Sequence, residues 1–231
     1  VSISPNRLLA RLSSDEYRRL LPDLEMVRIR SKRVLLKPQV PVRKVYFLAG
    51  GVCSITHVMA DGQVAGVAIV GNEGLVGMAA FGGDPESGQA AVVEIAAGDA
   101  QAMGVTAFRR EMERQTHFSE LVHRYAQAFV EGLMQSVACN ALHSIEKRCA
   151  RTLLEIRDRI GRDEFPMTQD VLATLLGVRR ASVTLAAGAL HRAGLVDHAH
   201  KSIIILDVAG LEHAACECYT LIKGHFTRLL S

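Results

Sequence analysis

The chain has 231 residues, 49% of them hydrophobic, with no Trp, 5% aromatic residues and a formal net charge of +3. That length holds one large or two modest domains, and the apolar share excludes global disorder while resting the core on Leu, Val, Ile and Ala. The charge is too small to imply a polyanionic partner by itself; no apolar run reaches transmembrane length, the longest (64–83) being broken by Asn72 and Glu73, so no membrane partner is expected.

Residues 6–21 predict a short helical lead-in, with Ser13 or Ser14 capping its second half and Leu8, Leu9, Leu12, Leu20 and Leu21 turned inward. From about 25 to 108 β-prone runs alternate with glycines, at 26–29, 34–36, 45–48, 52–58, 64–70, 91–95 and 100–105, and Gly50-Gly51 and Asp61-Gly62 are hairpin turn signals. Strands so short and closely spaced predict a compact all-β barrel, sandwich or roll. A short helix over 105–113 and a long one from 117 or 118 to about 141 follow. Along the long helix Phe118, Val122, Tyr125, Phe129, Leu133 and Val137 recur at spacings of three and four. That stripe is either buried against the β domain or paired with a second copy in a coiled-coil-like seam, or both hold on adjacent faces. Residues 144–160 form another helix with Ile145, Cys149, Leu153 and Ile156 inward, and 161–166 read as a linker.

The most informative stretch is 168–196, TQDVLATLLGVRRASVTLAAGALHRAGLV. Leu172, Leu175 and Leu176 line one short helix, Val183, Ala187 and Leu190 a second, and Ala173 is small enough for the two to cross closely. Thr168 caps the first helix, Asp170 suits its dipole, and Gly177 supplies the positive φ of the turn between them. Arg179, Arg180, Ser182 and Thr184 then stand at the start of the second helix, the residue types that hold phosphates and, through Arg180, reach a guanine edge. Between 171 and 206 the charges are Arg179, Arg180, Arg192 and Lys201 against Asp197 alone, so the basic excess falls on this segment. The pattern also fits an ordinary helical hairpin with a solvated basic corner. Residues 195–207, LVDHAHKSIIILD, read as a hairpin wing whose His198, His200 and Lys201 either approach phosphate or form a solvated turn, and 208–230 as one final amphipathic helix.

In this order of parts the chain resembles the bacterial Crp/Fnr superfamily of transcription regulators over about residues 6–206, most sharply in LHSIEKRCARTLLEI (142–156) and MTQDVLATLLGVRRASVTLAAGALHRAGLV (167–196). The resemblance implies an α+β chain: a β-roll, jelly-roll-like sensor domain of cyclic-nucleotide-binding type (1–116), a dimerisation helix (117–143) carrying the Phe118 to Val137 stripe, and a winged helix-turn-helix domain (144–231). It implies a homodimer on a roughly palindromic site in double-stranded DNA, with RNA polymerase as a further partner. Arg180 matches the family's guanine-reading arginine, while Ala181 stands where a base-contacting glutamate is common and Leu185 where a further arginine reads a base. Thr168, Gln169, Arg179, Ser182 and Thr184 complete the DNA-facing set, with Gln169, Arg179 and Ser182 at phosphate-contacting positions. In the sensor loop, aligned on Gly77 and QAAV, Met78 replaces the ribose-binding glutamate, Gln89 the phosphate-binding arginine and Ala90 a hydroxyl, with Glu73 nearby. Without those donors the pocket is degenerate and cyclic nucleotide is not the expected effector; the effector stays unidentified and no cofactor is predicted.

The five cysteines, Cys53, Cys139, Cys149, Cys216 and Cys218, are scattered, odd in number and preceded by no secretory signal, which predicts a reducing cytoplasm and neither a disulfide framework nor an iron–sulfur cluster. Cys139 reads as a redox switch or as packing, Cys149 as core. His213, Cys216, Cys218 and His225 carry metal-ligating atoms, but on one helix Cys216 and Cys218 stand about 200° apart and cannot share an ion unless the helix is broken there, so no metal is expected. Nine histidines leave a haem ligand open. No catalytic triad or paired carboxylate stands out and Gly82-Gly83 lacks the context of a phosphate loop, so an enzyme is the weakest class. The competing reading to a DNA-binding regulator is a ligand-sensing or protein-interaction module with degraded sequence readout, motivated by Ala181 and Leu185.

Overall fold

The computed structural model describes residues 4–81, 86–87, 89–95, 98–199 and 201–230, and of 86–87, 89–95 and 199 the backbone. Asn6 anchors the start: its buried amide donates to the carbonyls of Leu48 and Gly74, both at 2.8 Å, while its Oδ1 accepts from the N–H groups of Leu8 and Leu9. Leu8 and Leu9 are thereby fixed in the core. Helix α1 (Ser14–Leu20) is capped by Ser13, whose oxygen accepts from Glu16 N at 3.2 Å. Leu21, expected inside, is exposed, because a 3-10 turn with Pro22 redirects the chain there.

Among the described residues ten strands follow: β1 (Leu24–Ile29), β2 (Val34–Leu36), β3 (Val40–Pro41), β4 (Lys44–Leu48), β5 (Val52–Val58), β6 (Val64–Val70), β7 (Leu75–Val76), β8 (Glu86–Ser87), β9 (Gln89–Ile95) and β10 (Gly98–Gly104). They pair antiparallel in the orders β1-β10-β4-β7 and β2-β9-β5-β6, with β3-β8 as a separate pair. Ile29, Val45, Phe47 and Met103 of the first sheet and Leu36, Cys53, Ile55 and Val70 of the second share one core, the arrangement of a roll. Strands β3, β7 and β8 have only two residues each, too short to show alternation in the sequence.

Helix α2 (Val105–Glu113) closes the roll and α3 (His117–Leu142) runs from it. The stripe on α3 divides. Phe118, Val122, Tyr125 and Phe129 are buried in the roll's own core and Leu133 packs against it, whereas Val137 is 70% exposed. The first four therefore cannot form a seam with another chain, which corrects that expectation. The open apolar face is the neighbouring one: Val130 and Met134, each one residue past a stripe member, joined by the stripe's own exposed end Val137 and by Leu142.

A second core gathers α4 (Ile145–Ile160), α5 (Gln169–Leu176) and α6 (Arg180–Arg192) with the three-stranded sheet β11 (Glu164–Pro166), β13 (Ser202–Ile205) and β12 (Val196–Ala199). Cys149, Leu153 and Ile156 are buried in it as expected. Residues 164–166 are a strand rather than part of a linker, because β13 leaves an edge that they cover with Phe165 inward. The expected final helix is two: α7 (Val208–Ala214), capped by Asp207 accepting from Gly210 N at 2.9 Å, and α8 (Cys218–Leu230). The apolar face of α7 packs on α4 and that of α8 on α3, so the chain turns between them, with Ala215 extended at φ −74° and ψ 165°. Among the described residues no single helix is long and apolar enough to cross a membrane.

Candidate nucleic-acid interface

The interface is built from a turn that only some sequences tolerate. Gly177 ends α5 in the left-handed region (φ 64°, ψ 39°), and Val178 N donates back to Ala173 O at 3.1 Å, which closes the helix and turns the chain without a Cβ penalty. The two helices then bend by 106°, inside the range of helix-turn-helix units. Leu172, Ala173, Leu176, Val183, Ala186 and Leu190 fill the angle between them against α4. At the other end Thr168 caps α5, accepting from Val171 N at 3.2 Å.

Two further contacts fix α5. Arg148 of α4, itself buried, donates through Nη2 to the carbonyl of Leu176, an end-of-helix acceptor without an intrahelical donor. Leu175 leaves the shared apolar face and leans on β6, where a Cβ on Gly66 would lie 2.7 Å from Leu175 Cα; only glycine permits that approach. The unit is thus held to the β-roll as well as to its own domain.

What remains outward is the first half of α6. Arg179, Arg180, Ala181, Thr184 and Leu185 are exposed and Ser182 is half-buried. Arg179 is the N-cap and supplies no side-chain acceptor; Ser182 N donates to its carbonyl at 2.9 Å, so the N–H groups of Arg180 and Ala181 and the positive end of the helix dipole face outward toward an anion. Arg180 stands 65% exposed, its Nη1 3.4 Å from Asp170 Oδ1, itself 68% exposed; such a surface pair is worth about 0–1 kcal/mol and yields readily to a better acceptor. The Thr184 hydroxyl lies 2.8 Å from Gln169 Oε1 and 3.1 Å from Arg180 O, so Gln169 is oriented across the two helices. In the wing, His198 and Lys201 are exposed and His200 lies outside the described residues.

Of the positions read as a sensor pocket, Glu73, Gly77 and Met78 are described in full. Glu73 is buried and accepts from Gly71 N at 3.1 Å and from Arg159 Nε of α4 at 2.9 Å. It is a tie between the roll and the second domain, and Arg159, whose guanidinium also lies 5.7 Å from the Phe226 ring centre, is its partner. Gly77 turns at φ 113° and Met78 starts a 3-10 turn packed on the roll's core. Gln89 and Ala90 lie on β9 opposite His57 and Thr56, and their side chains, like Gly82-Gly83, lie outside the described residues. The expected C-terminal Cys/His group is also rearranged. His213 is exposed and His225 Nδ1 lies 2.7 Å from Glu131 Oε2, while Cys216 and Cys218 meet Cys139 and His143 instead. No local signal in the sequence announces that grouping, because it depends on the break between α7 and α8.

This geometry has counterparts among known proteins. The family model of the Crp-like helix-turn-helix domain matches residues 147–214. Among solved structures, the chain is similar to FixK2 from Bradyrhizobium japonicum (TM-score 0.71, 14% identity, covering 84% of this chain and 98% of that one). It is similar to a putative transcriptional regulator of the Crp/Fnr family from Eubacterium rectale (TM-score 0.69, 15% identity, 90% and 96% covered). It is also similar to a CRP-family transcriptional regulator from Thermus thermophilus (TM-score 0.68, 21% identity, 82% and 96% covered). At such identities these likenesses establish the fold, and the family match establishes the helix-turn-helix domain within it. No curated protein matches the chain.

Proposed function

We propose that this chain is a transcription regulator of the Crp/Fnr type, which binds double-stranded DNA as a homodimer and reads a roughly palindromic site through α6; the helix-turn-helix match and the likeness of fold support this reading. The observation that carries this reading is the free N-terminal half of α6, with Arg179, Arg180, Ala181, Thr184 and Leu185 exposed together while its opposite face is buried. Arg180 addresses a guanine; Thr168, Gln169, Arg179 and Ser182 address phosphates, which add affinity and salt dependence without sequence information. Leu185, 72% exposed where a solvated helix would carry a polar residue, meets a thymine methyl group. The dimer forms along the open face of α3 at Val130, Met134 and Val137. Cyclic nucleotide is not the effector, since Met78, Gln89 and Ala90 offer no cation or hydroxyl to a cyclic phosphate and Glu73 is engaged by Arg159.

Selection from a pool of random duplexes tests this. The expected product is an inverted repeat with half-sites one turn apart, about 10 base pairs. Arg180→Ala weakens that site by about 1–3 kcal/mol per half-site and relaxes one base position, whereas Arg179→Ala weakens all duplexes alike and lowers the salt slope by about 1 per half-site. Leu185→Ala relaxes preference at a thymine. Enrichment of no sequence, or an Arg180→Ala protein with unchanged selection, overturns the base-reading role and leaves a module with degraded readout.

A further inference from the structure

Four ligand-bearing side chains distant in sequence converge where α3 ends. Cys139 is in the last turn of α3, His143 is its C-cap, Cys216 lies in the break between α7 and α8, and Cys218 is the first residue of α8. Their Sγ and imidazole nitrogen atoms all lie within 4.8 Å of one another. Cys139 Sγ is 3.5 Å from Cys216 Sγ, and Cys218 Sγ is 3.5 Å from His143 Nδ1. Around a tetrahedral zinc ion, bond lengths of about 2.3 Å to sulfur and 2.0–2.1 Å to nitrogen give edges of about 3.8 Å between sulfurs and about 3.6 Å between sulfur and nitrogen. The three thiols are buried and the imidazole half-buried, so the set is enclosed before any ligand arrives.

We propose that Cys139, His143, Cys216 and Cys218 form a mononuclear site for a borderline-soft divalent cation, zinc by preference. The surroundings are those of a metal site. His143 presents Nδ1 to the cysteines while Nε2 lies 3.3 Å from Glu217 Oε1, so Glu217 accepts the Nε2 proton and leaves the lone pair at Nδ1 for the ion. Gln135 Nε2 donates to Cys218 Sγ at 3.1 Å and orients that sulfur. Three thiolates and one dication leave a net negative charge. Arg148 and Arg151 answer it: both are buried, both interact electrostatically with Cys139 and Cys216, and each keeps an Nε–H with no acceptor among the described residues. On binding, each thiol gives its proton to solvent as its sulfur takes the metal, three protons per ion, and the neutral imidazole binds without losing one. A polynuclear iron–sulfur cluster distributes its ligands over separate irons and needs at least one pair wider than these four atoms allow. The occupied site staples the α7–α8 junction to the end of the long helix. This assignment goes beyond DNA recognition and does not depend on it.

The test uses the full chain, purified reduced and without air, stripped with a chelator and titrated with cobalt(II) and then zinc(II). The expected result is one equivalent of cobalt per chain with thiolate charge-transfer bands and the strong visible bands of a tetrahedral ion, displaced stoichiometrically by zinc. Cys139→Ser and His143→Ala lose that signature, and Cys53→Ser and Cys149→Ser keep it. Glu217→Gln, at an exposed position that does not threaten folding, keeps the stoichiometry and weakens zinc about 10- to 100-fold. A wild-type chain that binds no stoichiometric cobalt, or binds it without thiolate bands, overturns the site. So does iron with acid-labile sulfide in the protein as isolated, or a Cys139–Cys216 disulfide in protein taken directly from reducing cells.

Discussion

At the scale of single residues, the same chemical type serves opposite ends in this chain according to what surrounds it. Cys149, fully buried on α4, has its thiol pushed up to about 12 by burial, with the charge of Glu146 adding to the effect. In the native state it therefore holds its proton where an unfolded thiol, with a pKa near 8.5, has released it. The sign follows: the contribution to stability is complete below about pH 8.5 and is lost as pH rises toward 12, because the unfolded state gives up the proton first. Native protein should resist alkylation at Cys149 at about pH 8. Denaturant titrations from about pH 8 upward should show a stability difference between wild type and Cys149→Ala that shrinks with pH; a constant difference contradicts the assignment. Gly177 was legible at this scale, because a positive-φ turn is a local fact. The pairing of Glu73 with Arg159 was not, since a lone buried acid in a sequence carries no mark of a partner 86 residues away.

At the scale of elements, the two helices of the helix-turn-helix unit are held by termini as much as by faces. Thr168 supplies the one side-chain acceptor at the start of α5, and Arg148 takes the carbonyl of Leu176 at its end. Thr168→Ala should cost about 0.5–2 kcal/mol and, at about 2–4 °C per kcal/mol for a chain this long, lower the melting temperature correspondingly, with Thr168→Ser restoring most of it. Thermal unfolding of the three proteins checks this. If Thr168→Ala melts with wild type yet binds DNA less well, the hydroxyl acts on phosphate alone. Most long elements could be read from periodicity: α3 and α4 span nearly the predicted residues, and so do the strands from β4 to β6. What periodicity missed is instructive. The run 208–230 is amphipathic throughout, yet its halves face different helices, and nothing local in Ala214, Ala215 or Cys216 stops a helix. A break imposed by tertiary packing brings Cys216 and Cys218 into one cluster, which regular helix geometry would have forbidden.

At the scale of the molecule, α3 has two apolar faces and the sequence shows only their sum. The inner face, Phe118, Val122, Tyr125 and Phe129, is consumed by the roll. The outer one runs over Val130, Met134, Val137 and Ala141, alternating steps of four and three, and its Val130, Met134 and Val137 are 50%, 67% and 70% exposed. A repeat averaging 3.5 residues is the spacing that keeps a helix facing a partner helix, and the first four members of the inner stripe cannot supply it because they are already covered. Met134 sits near the middle of the outer run, so in a two-fold dimer its two copies approach each other. Met134→Glu then sets two carboxylates face to face in an apolar seam. Like charges across an interface cost several kcal/mol; at about 3 kcal/mol the dimer is weakened on the order of 100-fold. Met134 is solvent-exposed in the single chain, so the fold should survive the substitution, with unchanged circular dichroism. Light scattering should report a dimer for wild type and a monomer for Met134→Glu at micromolar protein, and binding to an inverted repeat should fall far more than binding to one half-site. A wild-type monomer, or a dimer indifferent to Met134→Glu, would remove α3 as the seam and require another way to set two α6 helices on one duplex.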